Sequence, residues 1–178
     1  MKIRRIEKGD LPTRVEWMND PRIYMNMGFT PPITLENTIA WFEKNQKLDN
    51  RIDVTYLDDD GNIVGFGGIY LIDKTLGSGE AYMFIGPAYH KKGFGARGNG
   101  LLFDYAFNNL GLNKIISHVD DCNVASQKVW EKLGFKLEGI IRQSKMLNGK
   151  LIDRYHYGLL RSEYVRPDID LSEINIDD

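Results

Sequence analysis

Glu80-Ala81-Tyr82-Met83-Phe84-Ile85-Gly86-Pro87-Ala88-Tyr89-His90-Lys91-Lys92-Gly93-Phe94-Gly95-Ala96-Arg97 is the stretch whose reading decides the fold. Glu80 to Gly86 has the composition of a strand and follows the glycine-rich connection Gly77-Ser78-Gly79. A basic, glycine-rich segment from His90 to Arg97 leads into a helix whose Leu101, Leu102, Tyr105 and Ala106 form an apolar stripe. Glycines between a strand and a helix let the backbone turn tightly, so that several N–H groups can point at one oxyanion. The helix adds its unpaired N-terminal donors and the positive end of its dipole. Each charge–dipole contact is worth only about 0.3–1 kcal/mol when exposed, so several must converge. His90, Lys91, Lys92 and Arg97 add donors or charge at the same place. A diphosphate is the natural guest.

Two rivals compete for this segment. One is a flexible surface loop with incidental lysines. The other is dinucleotide binding, because Gly93-Phe94-Gly95-Ala96-Arg97-Gly98 matches G-x-G-x-x-G. That fingerprint opens a βαβ unit directly off its first strand. Here Pro87 to Lys92 intervene, the preceding strands read as antiparallel, and a second Rossmann half is missing. A kinase-type P-loop is excluded because no G-K-S/T is present.

Upstream, Lys2 to Glu7 reads as a strand, and Asp10 is expected to cap a helix through Met18 with Pro12 in its first turn. Asn19-Asp20-Pro21 ends that helix, and a loop rich in Met and aromatics is expected from Arg22 to Pro32. Thr34 caps a second helix, with Leu35, Ile39 and Phe42 on one face. Ile52 to Leu57 and Asn62 to Ile72 read as strands around the turn Asp58-Asp59-Asp60-Gly61. Downstream come a strand over Lys114 to Asp120, a helix from Asn123 to Leu133 stopped by Gly134, and two strands from Phe135 to Arg161 joined at Asn148-Gly149. The order is α+β, with one βα crossover in the second half.

With 178 residues, the chain is sized for one domain, and its mix of 42% hydrophobic and 27% charged residues rules out wholesale disorder. Residues 1–165 form that domain, and 166–178 form an acidic tail. The tail holds Asp168, Asp170, Glu173, Asp177 and Asp178 against Arg166, and it is expected to be loosely ordered or packed on a partner subunit. A net charge of −2 gives no reason to expect nucleic-acid binding. No apolar run spans a bilayer and no secretory signal opens the chain, so no membrane partner is expected. The lone Cys122 suits a reducing cytoplasm.

Two separate stretches resemble the GCN5-related N-acetyltransferase (GNAT) superfamily. Ile85 to Gly95, with His90-Lys91-Lys92-Gly93-Phe94-Gly95 at its end, resembles the family's pyrophosphate loop, Q/R-x-x-G-x-G/A. Asn123-Val124-Ala125-Ser126-Gln127-Lys128-Val129-Trp130-Glu131-Lys132-Leu133-Gly134-Phe135 resembles N-x-x-A/S-x-x-x-Y-x-K-x-G-F. The resemblance covers about Lys2 to Tyr164, nearest to the ribosomal-protein, spermidine and amino-sugar acetyltransferase branch. It implies the GNAT fold: a mixed, mostly antiparallel central sheet with a splayed parallel strand pair, flanked by about four helices. It also implies acetyl-CoA as cosubstrate, with no metal. The backbone from Lys91 to Ala96 would hold the diphosphate, with His90, Lys92 and Arg97 beside it. Met83, Phe84 and Ile85 would pair with the pantetheine arm, Asn123 would bond to it, and Ser126 would lie near the thioester. Where family members carry the tyrosine that protonates the departing thiolate, this chain has Trp130, whose indole N–H can donate a hydrogen bond but not surrender its proton. Ser126 or a water then assists the thiolate. A self-associated state, homodimer or higher, is also implied, with Tyr155, Tyr157 and Leu159 offering an apolar edge.

Amide formation needs a neutral amine, and an alkylammonium of pKa near 10.4 is free base at pH 7 only on the order of one time in a thousand. A carboxylate base helps typically by about 10²–10⁴-fold. Glu80 is the candidate, since alternation puts Glu80, Tyr82 and Phe84 on one face of the strand. Tyr24, Met27, Phe29, Glu36 and Tyr82 are candidates for the acceptor site, which would take a polyamine, an amino sugar or a protein N-terminus. The alternative function is a non-catalytic module that binds CoA as a sensor or structural element, a reading kept open by the missing tyrosine.

Overall fold

Alternation along each strand sends one set of side chains to each face, and here each face has its own helical cover. In a computed structural model, residues 1–147, 149–166, 168 and 170–176 are described. The strands are β1 (Lys2–Arg5), β2 (Ile52–Leu57), β3 (Ile63–Asp73), β4 (Ser78–Ile85), β5 (Lys114–Asp120), β6 (Lys136–Leu147), β7 (Lys150–Leu160) and β8 (Ile174–Asn175). The helices are α1 (Leu11–Met18), α2 (Pro21–Met27), α3 (Leu35–Asn45), α4 (Phe94–Asn108) and α5 (Val124–Lys132). One sheet results, in the order β6-β7-β5-β4-β3-β2-β1-β8. Neighbours pair antiparallel except β4 with β5 and β1 with β8, which are parallel.

The main core lies under α4, whose Leu101, Leu102, Phe103, Tyr105, Ala106 and Phe107 are buried against Val54, Tyr56, Ile69, Ala81, Ile115 and Leu159, with Met83 and Ile85 packed on it. A smaller cluster of Ile23, Phe66 and Phe84, with Trp17, Met27, Phe29 and Tyr82 around it, occupies the other face beneath α1 and α2. The alternation of β4 therefore divides its side chains between two compartments.

The parallel pair is short. β4 and β5 are in register only at Ser78–Lys114, Gly79–Ile115 and Glu80–Ile116. β4 runs on to Ile85 beside β3, and β5 runs on to Asp120 beside β7. From Glu80 onward the two strands part, and the backbone of Ala81 to Ile85 on that side has no strand partner.

Several local expectations need correction. Asp10 stands at the N-cap of α1 without a side-chain capping bond. Its buried carboxylate is taken by Arg4 (2.7 and 2.8 Å), Thr55 Oγ1 (2.6 Å) and the Glu7 N–H (2.9 Å). Part of the loop expected from Arg22 to Pro32 is helix α2: the Asp20 carboxylate accepts from Arg22 N–H at its start, and Gly28 (φ 71°) ends it, giving five α-helices among the described residues. On α3 the buried position is Thr38, while Leu35 is exposed. Ser78 and Gly79 belong to β4. The Asn148 half of the last hairpin turn lies outside the described residues. Within the tail, Ile174–Asn175 pairs in parallel with Ile3 and Arg4, Ile176 is buried in the main core, and Glu173 accepts from the Met1 amino group and Arg97. This part of the tail is an edge strand rather than a loose extension. Pro167, Ile169, Asp177 and Asp178 lie outside the described residues. Tyr157 and Leu159, expected at an apolar edge, are interior, because β6 covers β7. No helix among the described residues is long and apolar enough to cross a membrane.

Candidate active site

Two clefts open where β4 and β5 part. The first, about 440 Å³, runs along Met83, Phe84 and Ile85 to the mouth of α4, lined there by Tyr89, His90, Lys91, Gly93, Phe94, Gly95 and Ala96. Its opposite wall is Asn123, Ala125, Ser126, Val129 and Lys132 from α5, with Arg22, Ile23, Asn26 and Met27 from α2. Lys91 (φ 62°) and Gly93 (φ 84°) both take left-handed conformations, the backbone alternation that builds anion-binding concavities. The Arg97 N–H donates to the Gly93 carbonyl at 3.1 Å. The N–H groups of Phe94, Gly95 and Ala96 precede it and have no carbonyl within the helix, so they face the mouth. His90 Nε2–H donates to the Ile85 carbonyl at 2.8 Å and ties the loop to the end of β4.

At the inner end stands Ser126. Asn123 caps α5 by accepting from the Ser126 N–H at 3.1 Å, which leaves the Asn123 amide N–H₂ toward the cleft. The buried Trp130 indole donates to Ser126 Oγ at 3.0 Å while its ring stacks on Phe103. The indole thus occupies an acceptor position of the Ser126 hydroxyl and leaves its proton free to be donated.

The second cleft, about 450 Å³, lies on the α1–α3 side and shares Met83, Asn26, Met27, Asn123 and Ser126 with the first. Glu80 stands at the fork, 9% exposed, and its Oε1 accepts from His118 Nδ1–H at 3.0 Å. That bond fixes the His118 tautomer, so its Nε2 accepts from His156 Nδ1–H at 2.9 Å. Burial, with the neighbouring His118 second, holds the His156 pKa below the ordinary 6.5. Beside the carboxylate, burial and then the hydrogen bond to Glu80 push the Tyr70 hydroxyl well above its usual range.

Cations line the rest of the wall. Arg51 forms a fork with Asp53 (2.6 and 2.9 Å), which also accepts from the Tyr82 hydroxyl at 2.5 Å. Asp120 takes Lys145 at 2.5 Å and faces Arg154 at 3.6 Å. Arg14, 4% exposed, lies among the rings of Trp41, Phe84, Phe66 and Tyr82 at 4.6, 5.1, 5.3 and 5.9 Å.

Of the residues expected from the sequence, Met83, Phe84, Ile85, His90, Lys91, Gly93, Phe94, Gly95, Ala96, Asn123 and Ser126 line the first cleft, and Glu80, Tyr82, Met27, Phe29, Ser126 and Trp130 the second. Four stand elsewhere. The Lys92 ammonium sits over the Tyr89 ring, and Arg97 turns to Glu173 at 2.9 Å. Tyr24 is on α2, which presents Asn26 and Met27 to the second cleft instead. Glu36 is exposed on the first turn of α3, whose inward positions are Asn37, Thr38 and Trp41. Asp120, at the end of β5, is engaged by Lys145 and Arg154. Sequence reasoning did not bring Arg14, Arg51, Tyr70, His118, Lys145 or Arg154 to the site. Period-two reading of β5 does place His118 and Ile116 on one face, a signal that Glu80 had a histidine across the strand gap.

A parted parallel pair that ends at a helix mouth, with a carboxylate at the fork, is the architecture of an acyltransferase. Residues 1–136 match the family model described as an acetyltransferase (GNAT) domain, and the chain belongs to that family. The enzyme class read from the sequence, an acetyl-CoA-dependent N-acetyltransferase, therefore stands. The chain is 28% identical over 169 residues to the uncharacterized N-acetyltransferase p20 of Bacillus licheniformis, covering 92% of this chain and 94% of that one. It is 26% identical over 167 residues to the spermidine N(1)-acetyltransferase of Vibrio cholerae, covering 93% and 95%. The crystal structure of the Vibrio cholerae spermidine N-acetyltransferase in complex with CoA and spermine superposes with a TM-score of 0.87 at 25% identity, over 91% of this chain and 96% of that one.

Proposed function

We propose that the chain transfers the acetyl group of acetyl-CoA directly to a primary amine in a ternary complex, with Glu80 as the general base. The observation that carries this reading is the fork itself. Pairing between β4 and β5 stops at Glu80 and Ile116, so an unpaired strand edge and a buried carboxylate stand together where the two clefts meet. The diphosphate is held by the N–H groups around Gly93 to Ala96, and the pantetheine arm lies along Met83 to Ile85 with Asn123 opposite. This brings the thioester beside Ser126 and Met83, which both clefts share.

The amine enters through the second cleft and attacks the thioester carbon, forming the C–N bond. Its proton passes to Glu80, directly or through one water, and the C–S bond breaks with the electron pair leaving on sulfur. The Ser126 hydroxyl, its acceptor position filled by Trp130, donates to that thiolate. His118 acts as a positioning residue: its Nδ1–H on Oε1 orients the Glu80 carboxylate at the fork, beside the Tyr70 hydroxyl. The names of the Vibrio cholerae relatives bring a polyamine forward as acceptor, and an amino sugar or a protein N-terminus are the other classes.

Glu80→Gln removes the base and keeps the size. Release of free thiol from acetyl-CoA should fall at least tenfold while calorimetric CoA affinity stays unchanged. Wild-type turnover in that variant would remove Glu80 from the mechanism. Tight CoA binding without thiol release across a broad amine panel would instead indicate a non-catalytic module.

A further inference from the structure

The second cleft holds a cation that the acetyl transfer leaves without a role. Four cationic side chains line it: Arg14, Arg51, Lys145 and Arg154. The acids that meet them are Asp53, on Arg51, and Asp120, shared by Lys145 and Arg154, while Glu80 is bonded to His118. Among the described residues Arg14 forms no ion pair with an acid. It is 4% exposed, and its Nε and Nη1 are buried with no hydrogen-bond partner among the described residues. Four aromatic rings hold the guanidinium by its faces, the geometry of cation–π packing, which leaves the N–H edge unsatisfied. A buried charged donor without an acceptor is costly, and the cost is removed when an oxyanion arrives in the cleft.

Its place on the wall sets the size of the partner. Arg14 packs on Tyr82 and Phe84, which follow Glu80 on the same face of β4 by two and four residues. At about 3.3 Å per residue, the guanidinium lies roughly 7–13 Å along the strand from the level of the base. We infer that the acceptor is a small amine carrying an oxyanion, a carboxylate or phosphoryl group, at its far end, and that Arg14 binds that group while the amine faces Glu80. This rests on the acetyl-transfer reading and narrows its acceptor. A polyamine would bring a second ammonium to a cleft whose unpaired charge is already positive.

The test compares amines that differ only in the distal charge. 6-Aminohexanoate is set against 6-aminohexanamide, glucosamine 6-phosphate against glucosamine, and spermidine stands as the cationic reference. Thiol release gives kcat/KM, and calorimetry on the CoA-loaded protein gives affinity. The charged member of at least one pair should exceed its neutral mate at least tenfold, and the pair that does so separates a carboxylate from a phosphoryl group. Arg14→Met should bring that ratio within about threefold of unity, and Arg14→Lys should keep part of it. Spermidine outperforming every anionic amine, or a ratio unmoved by Arg14→Met, overturns the inference. Should Arg14→Met not fold, Arg14→Lys and the wild-type pairs decide. Absence of thiol release with any amine would count against the transfer reading, whereas the calorimetric pairs still judge the anion site: equal affinity within both pairs overturns it.

Discussion

The two clefts that meet at Ser126 are made of different material. The groove toward α4 is largely backbone: an unpaired strand edge, two left-handed residues and the open end of a helix. The α1–α3 cavity is made of side chains: Arg14, Glu80, His118, Lys145 and Arg154 come from five separate elements, and Arg51 from the connection just before β2. A backbone site binds what every member of a family shares, because main-chain N–H groups do not change with sequence. A side-chain site can be refitted one residue at a time, so it is where a chain acquires its own acceptor. Similarity to the Vibrio cholerae enzyme therefore carries more weight for the groove than for the cavity.

The sharpest way to break this division is to disturb the backbone without adding a clash. Gly93 has φ 84°, and a Cβ there would meet no atom within 4 Å. A left-handed conformation costs an L-residue about 1–2 kcal/mol, and a β-branched side chain more, so Gly93→Val should drive the loop out of its cradle geometry. CoA affinity should fall about thirtyfold by calorimetry, which corresponds to roughly 2 kcal/mol. Gly61, in the β2–β3 turn, has the same φ of 84° and equally open surroundings. Gly61→Val should cost stability but leave CoA affinity unchanged. Equal effects of the two variants on affinity would show that the loop conformation has no special part in binding.

The same division explains what could be read from the chain. The Asp58–Gly61 turn, the Thr34 cap and the Gly93 mouth are local signals, complete within a few residues, and each stands where the sequence puts it. Helix α2 was also written locally, with Asp20 as cap, Pro21 in the first turn and Gly28 at the end. Its start was absorbed into the stop of α1, because Asn19-Asp20-Pro21 serves as both. Arg14 and the tail are another matter. On α1 an arginine reads as a solvated position, and only the closure of Trp41, Phe66, Tyr82 and Phe84 around it buries the charge. Nothing near Glu173 announces that it will meet Met1 and Arg97 across the fold. Such contacts are long-range and have no period.

Where the clefts join, the effect of a single hydroxyl should be smaller than that of the loop. Ser126→Ala leaves the Trp130 indole N–H without its acceptor and, on the proposed mechanism, removes the proton donated to sulfur. Thiol release should slow about tenfold, about 1.4 kcal/mol, the scale of one hydrogen bond to a charged atom. Acetyl-CoA affinity should be nearly unchanged. If chemistry is limited by thiolate departure, better leaving groups should restore the rate in this variant, and acetyl thioesters of lower thiol pKa offer the direct measurement. A variant as fast as wild type with every thioester would assign Ser126 to holding α5 and Trp130 alone.

The smallest effect concerns the histidine behind the base. Burial and the facing His118 hold the folded His156 pKa below 6.5, with Glu138 and Glu80 opposing and Lys114 assisting the shift. Well above pH 6.5 both folded and unfolded His156 are neutral, and the residue contributes nothing to pH dependence. As the pH falls through 6.5 the unfolded chain takes up a proton that the folded one refuses, so stability declines until the folded value is passed. Wild-type Tm should therefore drop as the pH falls below 6.5, and His156→Gln should flatten that limb. Asp10 titrates in a separate range: burial alone would raise its pKa, but the Arg4, Thr55 and Glu7 bonds bring it below the usual carboxylate value. Its stabilisation is present above about pH 4 and is lost only at lower pH, so the two limbs are distinguishable in one series of melts. An unchanged slope below pH 6.5 in His156→Gln would show that His156 does not govern that limb.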